Sequence, residues 1–134
     1  MKRTKSVLAS LMLAAVMLGQ SATPVMAATP TFDITGVWNV GNGETFQVFQ
    51  ENDEVNGIFV GRGFAHRWSG RYISPTKIKL IQIRRTRPNS CEVTMEIEIN
   101  VTSANSIAWT STATESGCGI SIGQTFLGTY TRLL

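Results

Sequence analysis

Eight basic side chains stand between Glu54 and Glu92 with no acid among them: Arg62, Arg67, Arg71, Lys77, Lys79, Arg84, Arg85 and Arg87. Arginine at this density is chemistry for anions, because its planar guanidinium meets carboxylate or phosphate oxygens two at a time. A nucleic acid, a small anion or an acidic protein surface would each use it. The nucleic acid fails on charge. The chain has 12 Lys plus Arg against 9 Asp plus Glu, a net of +3, and Lys2, Arg3 and Lys5 account for the whole excess. Residues 28–134 carry 9 charges of each sign and are neutral. Non-specific nucleic-acid binding needs a net basic surface that neutralises phosphates. Here the charges are segregated instead, with acids at 33–54 and 92–115 on either side of the basic block.

Catalytic groupings are poor. His66 is the single histidine, and Asp33 and Asp53 are the aspartates. The basic neighbourhood of His66 favours its neutral ring, and no nucleophile is tied to it. Glu92, Glu96 and Glu98 share one strand face and read as salt-bridge partners rather than as a catalytic pair. Gly41-Asn42-Gly43 and Gly61-Arg62-Gly63 are hairpin glycines, since no helix follows to complete a phosphate loop. The chain is therefore expected not to be an enzyme and to need no cofactor. Two cysteines, Cys91 and Cys118, are too few for a structural zinc site, so no metal is expected. In an exported protein they read as one disulfide.

Export is expected from the first residues. Lys2, Arg3 and Lys5 precede an apolar run over 6–19, and Val25-Met26-Ala27 offers small side chains at −3 and −1. This is the pattern of a signal peptide over 1–27, cleaved after Ala27. The run is short of the roughly 20 residues that a membrane span needs; a retained anchor is the alternative. The expected location is periplasmic or secreted.

The elements that must position the arginines are strands. Residues 28–134 form one expected domain, with no helix-period stretch in it. Runs rich in β-branched and aromatic residues, cut by Gly, Asn and Pro signals, give eight strands: 34–40, 45–51, 55–61, 67–74, 77–86, 91–102, 106–114 and 124–133. All links but one are short enough for hairpins, so the expected fold is all-β, an eight-stranded antiparallel up-and-down meander closed into a barrel.

The sixth strand alternates Cys91, Val93, Met95, Ile97, Ile99 and Val101 with Glu92, Thr94, Glu96, Glu98 and Asn100. Folding the fifth strand back on it sets Arg85 opposite Glu92, Lys79 opposite Glu98, Leu80 opposite Ile97 and Ile78 opposite Ile99. A slip of one residue destroys all four pairings. The same register turns Gln82 and Arg84 inward and Ile81 and Ile83 outward, unless a bulge near Leu80-Ile81 restores the parity. Ile58 and Val60 also point outward. Outward aliphatics on adjacent walls read either as a homo-oligomer contact or as scattered surface residues.

In a meander the odd-numbered links share one end. Cys91 and Cys118 both fall there, as a bridge requires. Arg62, His66, Arg67, Arg84, Arg85 and Arg87 gather at that end, and Lys77 lies at the other. Aromatic residues occur one or two per strand and either fill the barrel or wall a small ligand pocket.

Several of these stretches resemble a known group. Gly36-Val37-Trp38 on the first strand and Arg132 on the last resemble the calycin signature, in which an arginine packs across a strand-one tryptophan at the closed end of the barrel. GVWNVGNGETF (36–46), VNGIF (55–59), SGRY (69–72), SIAWTSTATE (106–115) and GQTF (123–126) resemble strands of the avidin-like branch. The resemblance implies the barrel, with Trp38 and Arg132 as its structural closure. It does not extend to the biotin site. Val40, Glu44 and Phe59 stand at the positions of the Asn, Ser and Tyr that hold the ureido oxygen in that family, and Gln124 replaces an Asp. Trp109 alone matches a pocket aromatic. The same barrel is used by secreted inhibitors of bacterial metalloproteases, which insert an N-terminal trunk into the protease; residues 28–32 are the corresponding stretch here.

The leading expectation is an exported, non-catalytic binding protein. Arg62, Arg67, Arg84, Arg85 and Arg87 would form a basic mouth for an anionic small molecule or an acidic protein, with Trp68, Tyr72 and Trp109 as pocket walls. The alternatives are a protease inhibitor or protein-docking module acting through the N-terminal arm, and a structural envelope or matrix subunit assembled through the outward aliphatics.

Overall fold

The computed structural model describes residues 27–87 and 90–134. The expected leader, apart from Ala27, lies outside the described residues, as do Pro88 and Asn89 of the link before Ser90. Eight strands run in order: β1 (Gly36–Gly41), β2 (Glu44–Glu51), β3 (Glu54–Val60), β4 (Phe64–Ser74), β5 (Lys77–Thr86), β6 (Cys91–Ser103), β7 (Ser106–Ala113) and β8 (Thr125–Arg132). Each pairs antiparallel with its neighbours and β8 returns to β1, so the sheet is a closed up-and-down barrel. The elements follow the expected strands closely. The main difference is β4, which starts three residues early, at Phe64 rather than Arg67. The tight turn is confined to Gly61–Phe64, closed by the Gly61 N–H donating to the Phe64 carbonyl at 2.9 Å. That frees Phe64, Ala65 and His66 to pair with Thr86, Arg85 and Arg84.

Side chains alternate between core and solvent along the walls, as a pleat requires. Val55, Gly57 and Phe59 of β3 point inward, as do Val93, Met95, Ile97, Ile99 and Val101 of β6. The β1–β2 link is a two-residue hairpin with Asn42 at φ 55° and Gly43 at φ 73°, the left-handed pair that this turn selects.

The β5–β6 ladder is continuous from Lys77 to Thr86, with Arg85 opposite Glu92, Lys79 opposite Glu98, Leu80 opposite Ile97 and Ile78 opposite Ile99. The expected register is therefore found and the alternative bulge is not. Gln82 is buried and Ile81 is 47% exposed. One detail differs. Glu98 takes its ion pair from Lys77 at 3.1 Å, not from Lys79 directly opposite. Diagonal neighbours lie within reach of long side chains. Ile58 and Val60 face solvent at 51% and 74% exposure.

One end is sealed. The Trp38 Nε1–H donates to the Ile34 carbonyl at 3.0 Å, and the Arg132 guanidinium lies 5.2 Å from the Trp38 ring centroid while donating to the Asp33 carbonyl. The N-terminal arm folds under this end. The Thr31 N–H donates to the Pro75 carbonyl at 2.8 Å, and Ala28 and Phe32 pack on the core. At the other end, Cys91 and Cys118 form the expected disulfide, with 5.4 Å between their Cα atoms. It ties the start of β6 to the β7–β8 link over a small cluster of Val93, Met95 and Ala113.

Gly70 pairs with Val55 on one side and Leu80 on the other. A Cβ there would strike the Lys79 carbonyl oxygen and come within 2.7 Å of Leu80 Cα, both backbone atoms that cannot rotate away. Gly70→Ala is expected to destabilise the barrel by roughly 1–3 kcal/mol, the range for overpacking. A denaturant midpoint equal to that of the parent would contradict this.

Candidate functional site

The open end is built from inward-facing residues of five strands. β4 supplies His66 and Trp68, β5 supplies Gln82 and Arg84, β6 supplies Met95, β7 supplies Trp109 and Ser111, and β8 supplies Phe126 and Tyr130; together they line a cavity of about 120 Å³. Cross-strand register fixes who meets whom: His66 stands opposite Arg84, and Trp68 opposite Gln82, which in turn faces Met95. Trp109 owes its position to Gly128 across the β7–β8 ladder, where a Cβ would come within 2.8 Å of the indole.

A second chamber of about 180 Å³ adjoins it, walled by Val40, Asn42, Glu44, Phe46, Phe59 and Phe64 and sharing His66 and Tyr130 with the first. Its aromatic rings are in mutual contact: Phe59 and Phe64 lie 5.2 Å apart between centroids, and Phe64 and His66 lie 4.9 Å apart. A larger hollow of about 630 Å³ sits at the rim between Gly43 and Arg62, open to solvent. It holds none of the buried unpartnered atoms.

The lower floor of the inner cavity is hydrogen-bonded. The Trp68 Nε1–H donates to Gln82 Oε1 at 2.8 Å, and Gln82 Nε2 and Ser111 Oγ donate to Met95 Sδ at 3.7 and 3.5 Å. Above that floor, three polar atoms are buried without a partner: His66 Nε2, Arg84 Nε and Trp109 Nε1. Arginine Nε and indole Nε1 are donors only, and a neutral imidazole nitrogen serves as donor or acceptor by tautomer. Leaving such a group dry and unpaired costs about 1–3 kcal/mol. Three residues with such an atom line one cavity, and the two that can only donate, Arg84 and Trp109, suit an acceptor.

The electrostatics point the same way. The Arg84 guanidinium lies 4.5 Å over the Phe64 ring, and it takes part in none of the ion pairs found among the described residues, which use Arg71, Lys77 and Arg85. Burial first, and then the Arg84 charge, lower the His66 pKa from 6.5 to about 4, against a smaller opposing effect of hydrogen bonding by the Gln82 side chain. The imidazole is therefore neutral near neutrality. Burial raises the Tyr130 phenol to about 12, so its proton stays. No hydroxyl or thiol is hydrogen-bonded to the imidazole among the described residues, and no group of three or more His, Cys, Asp or Glu there is placed to hold a metal ion. No described helix is long and apolar enough to cross a membrane.

The expected site residues divide. Arg84, Trp68 and Trp109 come together at the inner cavity. The other four arginines do not join them, which corrects the single basic mouth. Arg85 pairs with Glu92 at 2.9 Å on the outer wall, and Arg67 is exposed between Ile58 and Ile83. Alternation makes this unavoidable, since neighbours on a strand face opposite ways. Arg62 lines the rim hollow, and Arg87 lines an outer groove with Val60, Phe64 and Ser90. Tyr72 is also corrected. It points inward, but at the sealed end, where its hydroxyl lies 3.2 Å from the Phe32 carbonyl and 3.1 Å from Gln50 Oε1. His66, Gln82 and the aromatic wall of Phe59, Phe64 and Tyr130 were not among the expected site residues. The signal was parity: carrying the β4 alternation back from Trp68 puts His66 and Phe64 on the inner face.

No protein-family model, no curated protein and no solved structure matches this chain.

Two outcomes follow from the site itself. Gln82→Leu removes the acceptor of the Trp68 indole in a buried layer and is expected to cost about 1–3 kcal/mol in denaturant melts; a neutral result would mean that the indole is otherwise satisfied. His66 binds fewer protons folded than unfolded between its two pKa values, so its stabilising effect is full above 6.5 and is lost as pH falls towards about 4. The acid limb of a stability–pH profile should therefore be shallower in His66→Phe than in the parent, and superimposable limbs would refute the assignment.

Proposed function

We propose that this chain is an exported, non-catalytic binding protein with an avidin-like barrel, and that it takes a small anionic ligand into its open end. Arg84 meets the charge, while Trp109 and His66 supply further hydrogen bonds. The observation that carries this reading is that His66, Arg84 and Trp109, each with a buried, unpartnered polar atom, line one cavity, and that Arg84 has no carboxylate partner among the described residues. The disulfide fits an oxidising compartment, and with the leader read in residues 1–27 it supports a periplasmic or secreted location. The alternative that acts through the N-terminal arm has less support, because residues 28–32 are held under the sealed end by the Thr31–Pro75 hydrogen bond and by Phe32 in the core rather than extended for docking.

The test is calorimetry with small anions, acetate, benzoate and inorganic phosphate, on the parent protein and three variants. Arg84→Ala is expected to weaken binding by about ten- to a hundredfold, the range for a lost hydrogen bond to a charged group. Arg85→Ala and Lys77→Ala, on the outer wall, should change it by less than about twofold. Equal losses in all three would place the anion on the surface and remove the interior site.

A further inference from the structure

The class of ligand can be narrowed, on the footing that the open end binds an anion at all. The two chambers meet at His66 and Tyr130 and differ in chemistry. The inner one holds a single formal positive charge, Arg84, because His66 is neutral there. The outer one is walled by Phe46, Phe59 and Phe64 and has a carboxylate, Glu44, in its lining. Glu44 takes part in none of the ion pairs among the described residues.

One half-buried positive charge balances one negative charge. A second negative charge on the ligand would sit either against aromatic rings, without compensation, or beside Glu44; both are unfavourable. Dianions such as phosphate or a dicarboxylate are thus disfavoured. Donor-only Arg84 Nε and Trp109 Nε1 suit the two acceptor oxygens of a carboxylate. The aromatic chamber, at about 180 Å³, is smaller than the roughly 300 Å³ at which drug-sized pockets begin, so it suits a single flat ring.

The geometry points to a small ring-bearing monocarboxylate as the ligand, seated carboxylate-first on Arg84 and Trp109, with its ring among Phe59, Phe64 and Tyr130. His66 then becomes a reporter of occupancy. The groups that face it are Phe59 from β3, Arg84 from β5, Glu44 from β2 and Tyr130 from β8, and of these only Arg84 and Glu44 are charged near neutrality. A carboxylate beside Arg84 offsets the charge that repels a proton and favours the imidazolium. Binding should therefore take up protons and tighten as pH falls, until the ligand itself is protonated near about pH 4.

The experiment is calorimetry of the purified, disulfide-bonded protein with benzoate, acetate, terephthalate and inorganic phosphate as probes. Benzoate is expected to bind at least about tenfold more tightly than each of the others. Arg84→Gln should abolish that advantage, with a melting curve confirming that the variant is folded. Glu44→Gln should narrow the gap between benzoate and terephthalate. Between about pH 6.5 and about pH 4.5 the benzoate affinity should rise in the parent and stay flat in His66→Phe. Arg84-dependent binding of phosphate or terephthalate as tight as that of benzoate would overturn the monocarboxylate assignment and leave the anion site standing. If no probe binds in an Arg84-dependent way, both readings fall.

Discussion

β1 and β8 share two paired positions, Trp38 with Arg132 and Asn39 with Thr131. The seam is lengthened by the Val37 N–H donating to the Leu134 carbonyl at 2.9 Å and by the Leu133 N–H donating to the Val37 carbonyl at 2.7 Å. Arg132, stacked on Trp38, covers it from the sealed end. Without this seam both strands would be open edges, with backbone groups seeking other partners. The interior would also be wet. Dry surroundings lower the pKa of His66 and raise that of Tyr130. They also make an unpaired Trp109 N–H costly. The chemistry of the open end thus rests on a short contact at the other end.

Much of the wall was legible in the sequence because a closed sheet leaves little freedom. In β6, six apolar residues alternate with polar ones, and complementary charges on β5 fix one register. That register carried the unwelcome result that Gln82 and Arg84 face inward. The structure keeps it, with Gln82 satisfied by Trp68 and Met95. Parity fixes which face a residue takes, but it does not fix height along the barrel axis. Tyr72 faces inward as expected yet lies beside Phe32 and Gln50 at the sealed end. Arg84 and Arg85 are adjacent, so they cannot share a mouth. The sequence places His66 at this end but not on an inner face, because Arg62 to Ala65 read as a turn and the strand as starting at Arg67, when the turn closes at Phe64 and the strand begins there.

From the sealed end to the open end the interior changes character in steps. Ile34, Trp38, Ile78 and Ile99 are wholly buried in the apolar part. A polar layer follows, in which Gln82 and Ser111 find acceptors or donors in Trp68 and Met95, partly through a soft sulfur. Beyond it lie the donors that find nothing. The apolar floor and the satisfied layer rest on side chains that fill space. The upper layer leaves about 120 Å³ unfilled and its hydrogen-bonding groups unspent. A barrel selected for stability alone would close this gap with a few methyl groups, since apolar replacement of unsatisfied polar groups is neutral or favourable.

The two interior-edge arginines sharpen the point. Arg132 and Arg84 each lie over an aromatic ring, Trp38 and Phe64, and each has a buried Nε without a partner. An orphaned Nε is therefore not sufficient evidence of a site. Arg132 spends another N–H on the Asp33 carbonyl and stands over a tryptophan that is itself wholly buried and hydrogen-bonded. Its role is accounted for by closure. Arg84 has a cavity on its inner side, two other unpartnered polar atoms around the same space, and a neutral histidine held opposite by register. The same local motif is enclosed where the barrel is packed shut, and it borders an unfilled cavity where the barrel is left open.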